Sequence, residues 1–452
     1  MRVHFIAIGG SAMHNLAIAL YKKGYKVTGS DDEIFEPAYS RLKQLELLPE
    51  TIGWNPDKIS SDLDAVILGM HAKEDNPELI KARQLGLKIY SYPEYLYEQS
   101  KHKKRIVIGG SHGKTTITAM ILHVLKDLGI ETDYMVGAQL EGFDVMVKLS
   151  ETAPYMVFEG DEYLTSALDK RPKFHLYRPD IALISGIAWD HINVFPTFEN
   201  YVDQFRIFAK MVPEKGTLIY CDDDENVSRI AKEITNDIVK LPYNLPDYTI
   251  EGGKTFIHLN NQKVPLKVFG RHNMLNIEGA RLVCESIGVG SEKFYHSISS
   301  FNGASKRLEL VVSHPFTNVY KDFAHSPSKL KATIEAVKNQ FPDRKLVACI
   351  ELHTYSSLNT EFLSQYQHCM DNADTAMIYY SRHALELKKL PYFNKETVIE
   401  AFGRNDINVF NESNQIVDYL HNIEWKNTNL LMMSSGDFDG INLKFLADSL
   451  TI

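Results

Sequence analysis

Apolar residues in this chain gather in short runs. Several of these runs end on glycine or an acid and are followed by apolar positions at helical spacing. Arg105–Ile108 is one such run; after it, Met120, Ile121, Val124, Leu125 and Leu128 fall on one face of a helix. Val3–Ile8 is another, followed by a helix carrying Leu16, Ile18, Ala19 and Leu20 that ends at Gly24. Lys26–Gly29, Ala65–Gly69 and Leu87–Tyr90 complete a first unit, and Tyr155–Phe158 and Ile181–Ile187 join Arg105–Ile108 in a second. A third begins near residue 304, with strands Asn318–Phe323, Lys345–Ile350, Thr375–Tyr380 and Asn429–Ser434. Its helix Pro327–Gln340 is opened by Ser326-Pro327, and a further helix is expected over Ile277–Ile287. Strand alternating with helix predicts an α/β fold with mainly parallel sheets. Pro93–Lys104 reads as an exposed connector and Leu241–Gly253 as an exposed loop. At about 150 residues per domain the chain holds about three domains. Their expected bounds are 1–100, 101–304 and 305–452.

The most informative turn is Gly109-Gly110-Ser111-His112-Gly113-Lys114-Thr115-Thr116. Strand, glycine loop, Lys-Thr and helix together make a phosphate cradle. Glycines let backbone N–H groups close round phosphate oxygens, and the helix N-terminus adds positive potential. Lys114 reaches terminal phosphates, and the Thr115 hydroxyl can take a Mg²⁺ position. Ile108 stands where the usual pattern has its first glycine, so the loop is a shorter GxxGKTT variant. A glycine turn with an exposed lysine is the plain alternative.

Other strand ends carry chemistry of lower specificity. Gly9-Gly10-Ser11-Ala12 follows the first strand, and Asp31 follows the second, where an acid can bond a ribose hydroxyl. Ala12 and Asn15 stand where glycine is more typical, so an α/β turn without a ligand is equally open. His71 lies at a third strand's carboxyl end. Glu159 to Tyr163 and Asp190-His191 close two central strands. In a parallel sheet, Glu159 and His191 can converge on Mg²⁺ beside the phosphates, with a hydrogen-bonded loop pair as the alternative for Asp190-His191. Asn273 and Asn276 are one helical turn apart, so both amides can face adenine, or Asn273 can simply cap the helix. Asp322 and His325 sit at a strand-to-helix turn.

Composition narrows the classes. A net charge of −9 argues against nucleic-acid binding through a general basic field. Cys221, Cys284, Cys349 and Cys369 form no ligand spacing and read as reduced core thiols. The chain opens on a strand and carries no apolar run of transmembrane length. The expectation is therefore a cytoplasmic protein without signal peptide or membrane contact.

The ordered set VHFIAIGGSAM, VTGSD, GSHGKTT, FEGDEY, WDH, GRHNMLN, KRLEL, KDFAHSP and MSSGDFDG resembles the Mur ligase family over essentially the whole chain. These are ATP-dependent amide-forming enzymes of peptidoglycan synthesis. The resemblance implies an N-terminal Rossmann-like UDP-binding domain, a central P-loop ATPase domain and a C-terminal Rossmann-like domain. UDP-N-acetylmuramate would lie on Gly9, Gly10, Ser11, Ala12, Asp31 and His71. ATP would lie on Gly110, Ser111, His112, Gly113, Lys114, Thr115 and Thr116. His272, Asn273 and Asn276 would frame the adenine, and Asp322 and His325 would serve the closing C-terminal domain. Thr115, Glu159 and His191 would organise Mg²⁺, with Lys114, Glu159, His191 and Arg307 as the catalytic set and Arg307 at the hinge. The segment FEGDEYLTSALDKRPKFHLYRP resembles the tripeptide-adding branch, the murein peptide ligases, whose acceptor is L-alanyl-γ-D-glutamyl-meso-diaminopimelate; the L-alanine-adding branch is the alternative. Glu351-Leu352-His353-Thr354-Tyr355-Ser356 departs from an acceptor motif that usually carries arginine. For the modified lysine that some members use, Lys210 is present without a matching context. A monomer or weak homodimer is the expected assembly. A nucleotide-sensing regulator and a nicotinamide oxidoreductase are the competing classes; the second leaves the phosphate loop unexplained.

Overall fold

The computed structural model describes residues 1–70, 72–140, 142–143, 145–189, 194–260, 262–304 and 307–450. The described chain forms two compact units, residues 1–187 with 197–243 and 279–290, and residues 188–196 with 244–278 and 291–452.

The first unit holds two sheets. β1 (Arg2–Ile6), β2 (Lys26–Ser30), β3 (Ala65–Leu68) and β4 (Ile89–Ser91) pair in parallel in the order β2-β1-β3-β4. β5 (Lys104–Gly109), β6 (Thr132–Met135), β7 (Val147–Lys148), β8 (Tyr155–Glu159), β9 (Ile181–Ile184), β10 (Thr217–Cys221) and β11 (Val239–Tyr243) form the other, in the order β11-β10-β9-β5-β8-β6-β7. Only β7 runs antiparallel to its neighbour. β5 lies in the middle, and its register sets Ile108 opposite Glu159 and Gly109 opposite Ile184. The carboxyl ends of β5, β8 and β9 therefore share one edge, where ligands of open α/β sheets bind.

The second unit holds a three-stranded antiparallel sheet, β12 (Tyr248–Glu251), β13 (Lys254–Leu259) and β14 (Gln262–Leu266). Its larger sheet comprises β15 (Glu309–His314), β16 (Thr317–Asp322), β17 (Lys345–Leu352), β18 (Thr375–Tyr380), β19 (Asn408–Phe410) and β20 (Thr428–Met433), in the order β15-β16-β20-β17-β18-β19. Successive residues of β17 point to opposite faces. Leu346, Ala348 and Ile350 thus join Leu330, Ile334 and Val337 of the helix Pro327–Gln340 in one core. Val347 and Cys349 join Met377, Tyr379, Trp425 and Leu446 in another. The α/β architecture with Rossmann-like terminal sheets and a central P-loop sheet is as expected, and all four cysteines are buried free thiols.

Four expectations change. The first strand stops at Ile6, because Ala7 turns left-handed at φ 68°. The strand from Ile181 stops at Ile184. Pro93–Lys104 is not a connector: Tyr92–Ser100 is a helix with Tyr95 and Leu96 buried. Ser91 and Glu94 close a capping box there, a device worth about 0.5–2 kcal/mol. The Leu241–Gly253 stretch is largely strand. Pro242 is accommodated on edge strand β11, and Gly252-Gly253, at φ 58° and 75°, supply the left-handed turn of a tight hairpin.

Candidate functional site

The phosphate loop turns on two glycines at positive φ, a backbone region that favours glycine. Gly110 sits at φ 137°, and a Cβ there would lie 2.1 Å from the Ser185 hydroxyl oxygen. Gly113 sits at φ 80° and is the N-cap of the helix Lys114–Asp127. That helix is held by a buried apolar face including Ile117, Met120, Ile121, Val124 and Leu125. Its first residues Lys114, Thr115 and Thr116 consequently stand at the carboxyl edge of β5.

Two carboxylates meet the loop. Lys114 Nζ donates to Glu162 Oε2 at 2.5 Å and to the Gly110 carbonyl at 2.6 Å. The Thr115 hydroxyl donates to Glu159 Oε1 at 2.7 Å, and the Gly137 N–H donates to Glu159 Oε2 at 2.8 Å. Burial by itself would lower the Lys114 pKa; Glu162, Asp161 and Glu159 outweigh it and hold the ammonium above the ordinary lysine value. Burial likewise pushes Asp161 up, but Lys173, at 2.6 Å, and Lys114 bring it down to about 2. Lys114 and Asp161 are therefore both held in their charged forms at neutral pH.

Thr115 and Glu159 offer hard oxygen donors side by side. Among the described residues no group of three or more His, Cys, Asp or Glu side chains is assembled to hold a metal. The Thr115 and Glu159 oxygens suit Mg²⁺, which takes one or two carboxylates and completes its octahedron with substrate phosphate and water. His191 and His71 lie outside the described residues.

At the N-terminal sheet, Asp31 folds back on the glycine turn and accepts the Gly9 N–H at 2.6 Å. Gly10 is the N-cap of the helix Ser11–Lys22, with Ser11 and Ala12 exposed in its first turn. Gly9, Gly10, Ser11, Ala12 and Asp31 are thus brought to one sheet edge. Burial raises Asp31, the Gly9 N–H opposes it, and neighbouring Asp32 adds to it, so its pKa is pushed up to about 6. An acid whose folded value exceeds its unfolded value of about 3.9 contributes stability fully below that pH and loses it as pH rises through the folded value. Asp31→Asn is therefore expected to gain stability relative to the parent between pH 4 and 7. Denaturant unfolding across that range checks it, and a pH-independent difference counts against it.

In the second unit, Asn273 and Asn276 do not precede the helix; they lie inside Arg271–Ser286, which excludes Asn273 as its cap. Asn273 Nδ2 donates to the Phe269 carbonyl at 2.9 Å, and Asn276 Nδ2 donates to Asn273 Oδ1 at 3.4 Å. His272 precedes them in the first turn. Asp322 ends β16 and accepts the Leu308 and Ala324 N–H groups, the latter at 2.7 Å. Burial raises its pKa against those bonds and the nearby Arg307 charge. The Arg307 guanidinium lies 4.6 Å from the centre of the Phe323 ring, and His325 Nδ1 lies 2.8 Å from the Phe323 carbonyl oxygen. Arg307, Asp322 and His325 are thus neighbours. In place of the missing arginine, His353 stands 3.5 Å from Glu351, which raises its pKa.

Glu162, Tyr201 and the Gly137 N–H are site groups that the sequence reading did not assign. Glu162 carried a signal, being three residues beyond Glu159 in the same acidic cluster. Tyr201, far down the chain on the helix Phe198–Lys210, carried none.

Comparison with known proteins follows the same outline. Residues 2–104 match the model described as Mur ligase family, catalytic domain, and residues 108–284 match the Mur ligase middle domain. The UDP-N-acetylmuramate–L-alanine ligase of Sulfurihydrogenibium sp. (strain YO3AOP1) is 31% identical over 444 residues, 96% of this chain and 95% of that protein. Among solved structures, the UDP-N-acetylmuramate–alanine ligase of Thermotoga maritima superposes with a TM-score of 0.70 at 21% identity, covering 99% of both chains. The murein peptide ligase of Psychrobacter arcticus 273-4 gives 0.64 at 23% identity, covering 100% of this chain and 99% of that one.

Proposed function

This chain belongs to the Mur ligase family, and on that premise we propose that it uses ATP to join the lactyl carboxylate of UDP-N-acetylmuramate to the amine of an amino acid or peptide. The observation that carries this is the charged edge of the central sheet. Lys114 and Thr115 start one helix there, and each faces its own carboxylate, Glu162 and Glu159.

A carboxylate and an ammonium do not condense in water, so the acid has to be activated. The lactyl carboxylate oxygen attacks the γ-phosphorus of ATP, the bond to the bridging oxygen of ADP breaks, and an acyl phosphate forms. The free amine then attacks the acyl carbon and expels inorganic phosphate. Lys114 leaves Glu162 to meet the charge building on the transferring group. Backbone N–H groups of the glycine loop hold the non-transferring phosphates. Thr115 and Glu159 would hold Mg²⁺, which when bound would neutralise phosphate charge. On the donor side, the glycine turn and the helix Ser11–Lys22 would receive the diphosphate, with Asp31 beside them.

For the acceptor, L-alanine has the better support, because the likeness to L-alanine ligases runs through nearly the whole length of both chains. The tripeptide is a second reading, favoured by one built element. Residues 163–173 form a loop closed by the Leu164–Pro172 bridge, with Arg171 tied to Asp169 at 2.6 Å and Lys173 to Asp161. This is the segment whose sequence resembles the tripeptide-adding branch.

Phosphate release from ATP and Mg²⁺ is expected to require both UDP-N-acetylmuramate and an amine. L-Alanine is expected to exceed the tripeptide in kcat/KM by about tenfold or more. The reverse order establishes the second reading. Release that ignores every amine, or none at all, overturns the ligase reading.

A further inference from the structure

The phosphate loop is tied to a residue that phosphate chemistry alone does not require. The Tyr201 ring is fully buried, packed edge-on against Phe205 with centroids 5.2 Å apart. Its hydroxyl lies 2.8 Å from Ser111 Oγ and 3.0 Å from Glu162 Oε1. A carboxylate only accepts, so the phenolic proton points to Glu162 and the Ser111 hydroxyl donates to the phenolic oxygen. Glu162 Oε2 takes the Lys114 ammonium, and Lys114 returns to the Gly110 carbonyl. The result is a closed ring, Ser111 to Tyr201 to Glu162 to Lys114 to Gly110, that fastens both ends of the loop to the helix Phe198–Lys210.

From this geometry we infer that Tyr201 is a positioning residue for Lys114. It anchors one oxygen of Glu162, so the carboxylate keeps its place when the ammonium swings to a triphosphate and takes the ammonium back when the nucleotide leaves. Loss of the hydroxyl removes that anchor, so Glu162 follows the ammonium more readily and competes with the phosphates. The inference rests on reading this loop as an ATP site. It goes beyond that reading in assigning the loop's affinity partly to a side chain on another helix.

Tyr201→Phe keeps the ring and deletes both bonds. Loss of a buried hydrogen bond to a charged acceptor is worth about one decade of affinity or more. Expected is a rise of about tenfold in the Kd for ATP by calorimetry and in the KM for ATP, with kcat and the KM for UDP-N-acetylmuramate changed less than threefold. In a Glu162→Ala background the same substitution adds nothing, because the ring is already cut. A merely structural tyrosine would lower Tm in both backgrounds and leave the ATP constants alone; that result overturns the inference. Should the Phe variant not fold, Ser111→Ala cuts the ring at its other end. A rise of about threefold in the ATP constants then supports the inference, and unchanged constants overturn it. ATP binding is read without donor or amine, so a failed ligase reaction leaves this test standing.

Discussion

Lys114→Ala is expected to lower substrate-dependent phosphate release by about 10³-fold or more, the range seen when a group that meets charge on a transferring phosphoryl is removed. The same substitution has a second consequence that has to be separated from the first. Glu162 is 1% exposed, and Lys114 is its counter-ion at 2.5 Å. Deleting one member of a buried pair leaves an uncompensated charge, a cost of about 3–5 kcal/mol. A drop in activity with a drop in Tm would therefore not by itself distinguish chemistry from folding. Lys114→Met combined with Glu162→Gln removes both charges at similar volume. Tm is expected to recover in this double variant while phosphate release stays at the level of the alanine variant. Recovery of turnover along with stability would remove Lys114 from the mechanism.

Strand ends were readable in the sequence because burial on both faces makes parallel strands continuous apolar runs, and the punctuating residues then mark the ligand edge. Lys114, Thr115 and Glu159 are read this way, and the register sets the two strand ends side by side, with Ile108 opposite Glu159. The partner of Lys114 was not assigned. Glu162 lies in the acidic cluster after that strand, but nothing local says which acid of Glu159, Asp161 and Glu162 faces the ammonium. Tyr201 is beyond local reasoning altogether, since its link to Ser111 spans 90 residues and depends on how the helix Phe198–Lys210 packs. Errors of secondary structure had a common cause. Pro93 and the Lys101–Arg105 charges suggested a connector, yet proline suits a helix's first turn and Tyr95 and Leu96 carry the packing. Pro242 and the glycine pair suggested a loop, yet they fit an edge strand and a hairpin turn. In both places the breaker residues occupy positions where their limits cost nothing.

Glu159 gives the second large effect. Both of its oxygens are engaged, one by the Thr115 hydroxyl and one by the Gly137 N–H. Glu159→Ala leaves that backbone N–H without a partner and takes the negative charge from the edge. Activity is expected to fall by about 10²-fold or more, with loss of about 1–3 kcal/mol of stability from the orphaned donor. Glu159→Gln isolates the charge. Its carbonyl oxygen can keep the Gly137 N–H, and its amide then donates to Thr115, whose hydroxyl rotates to accept. One of the two hydroxyl lone pairs is then used, and the carboxylate that would hold Mg²⁺ is gone. The Gln variant is therefore expected to keep the parent Tm within a degree or two while its half-saturating Mg²⁺ concentration rises about tenfold or more. Titration of phosphate release against Mg²⁺ at saturating ATP checks this. An unchanged Mg²⁺ midpoint in a folded Gln variant would mean that Glu159 shapes the loop through Thr115 and Gly137 but does not hold the metal.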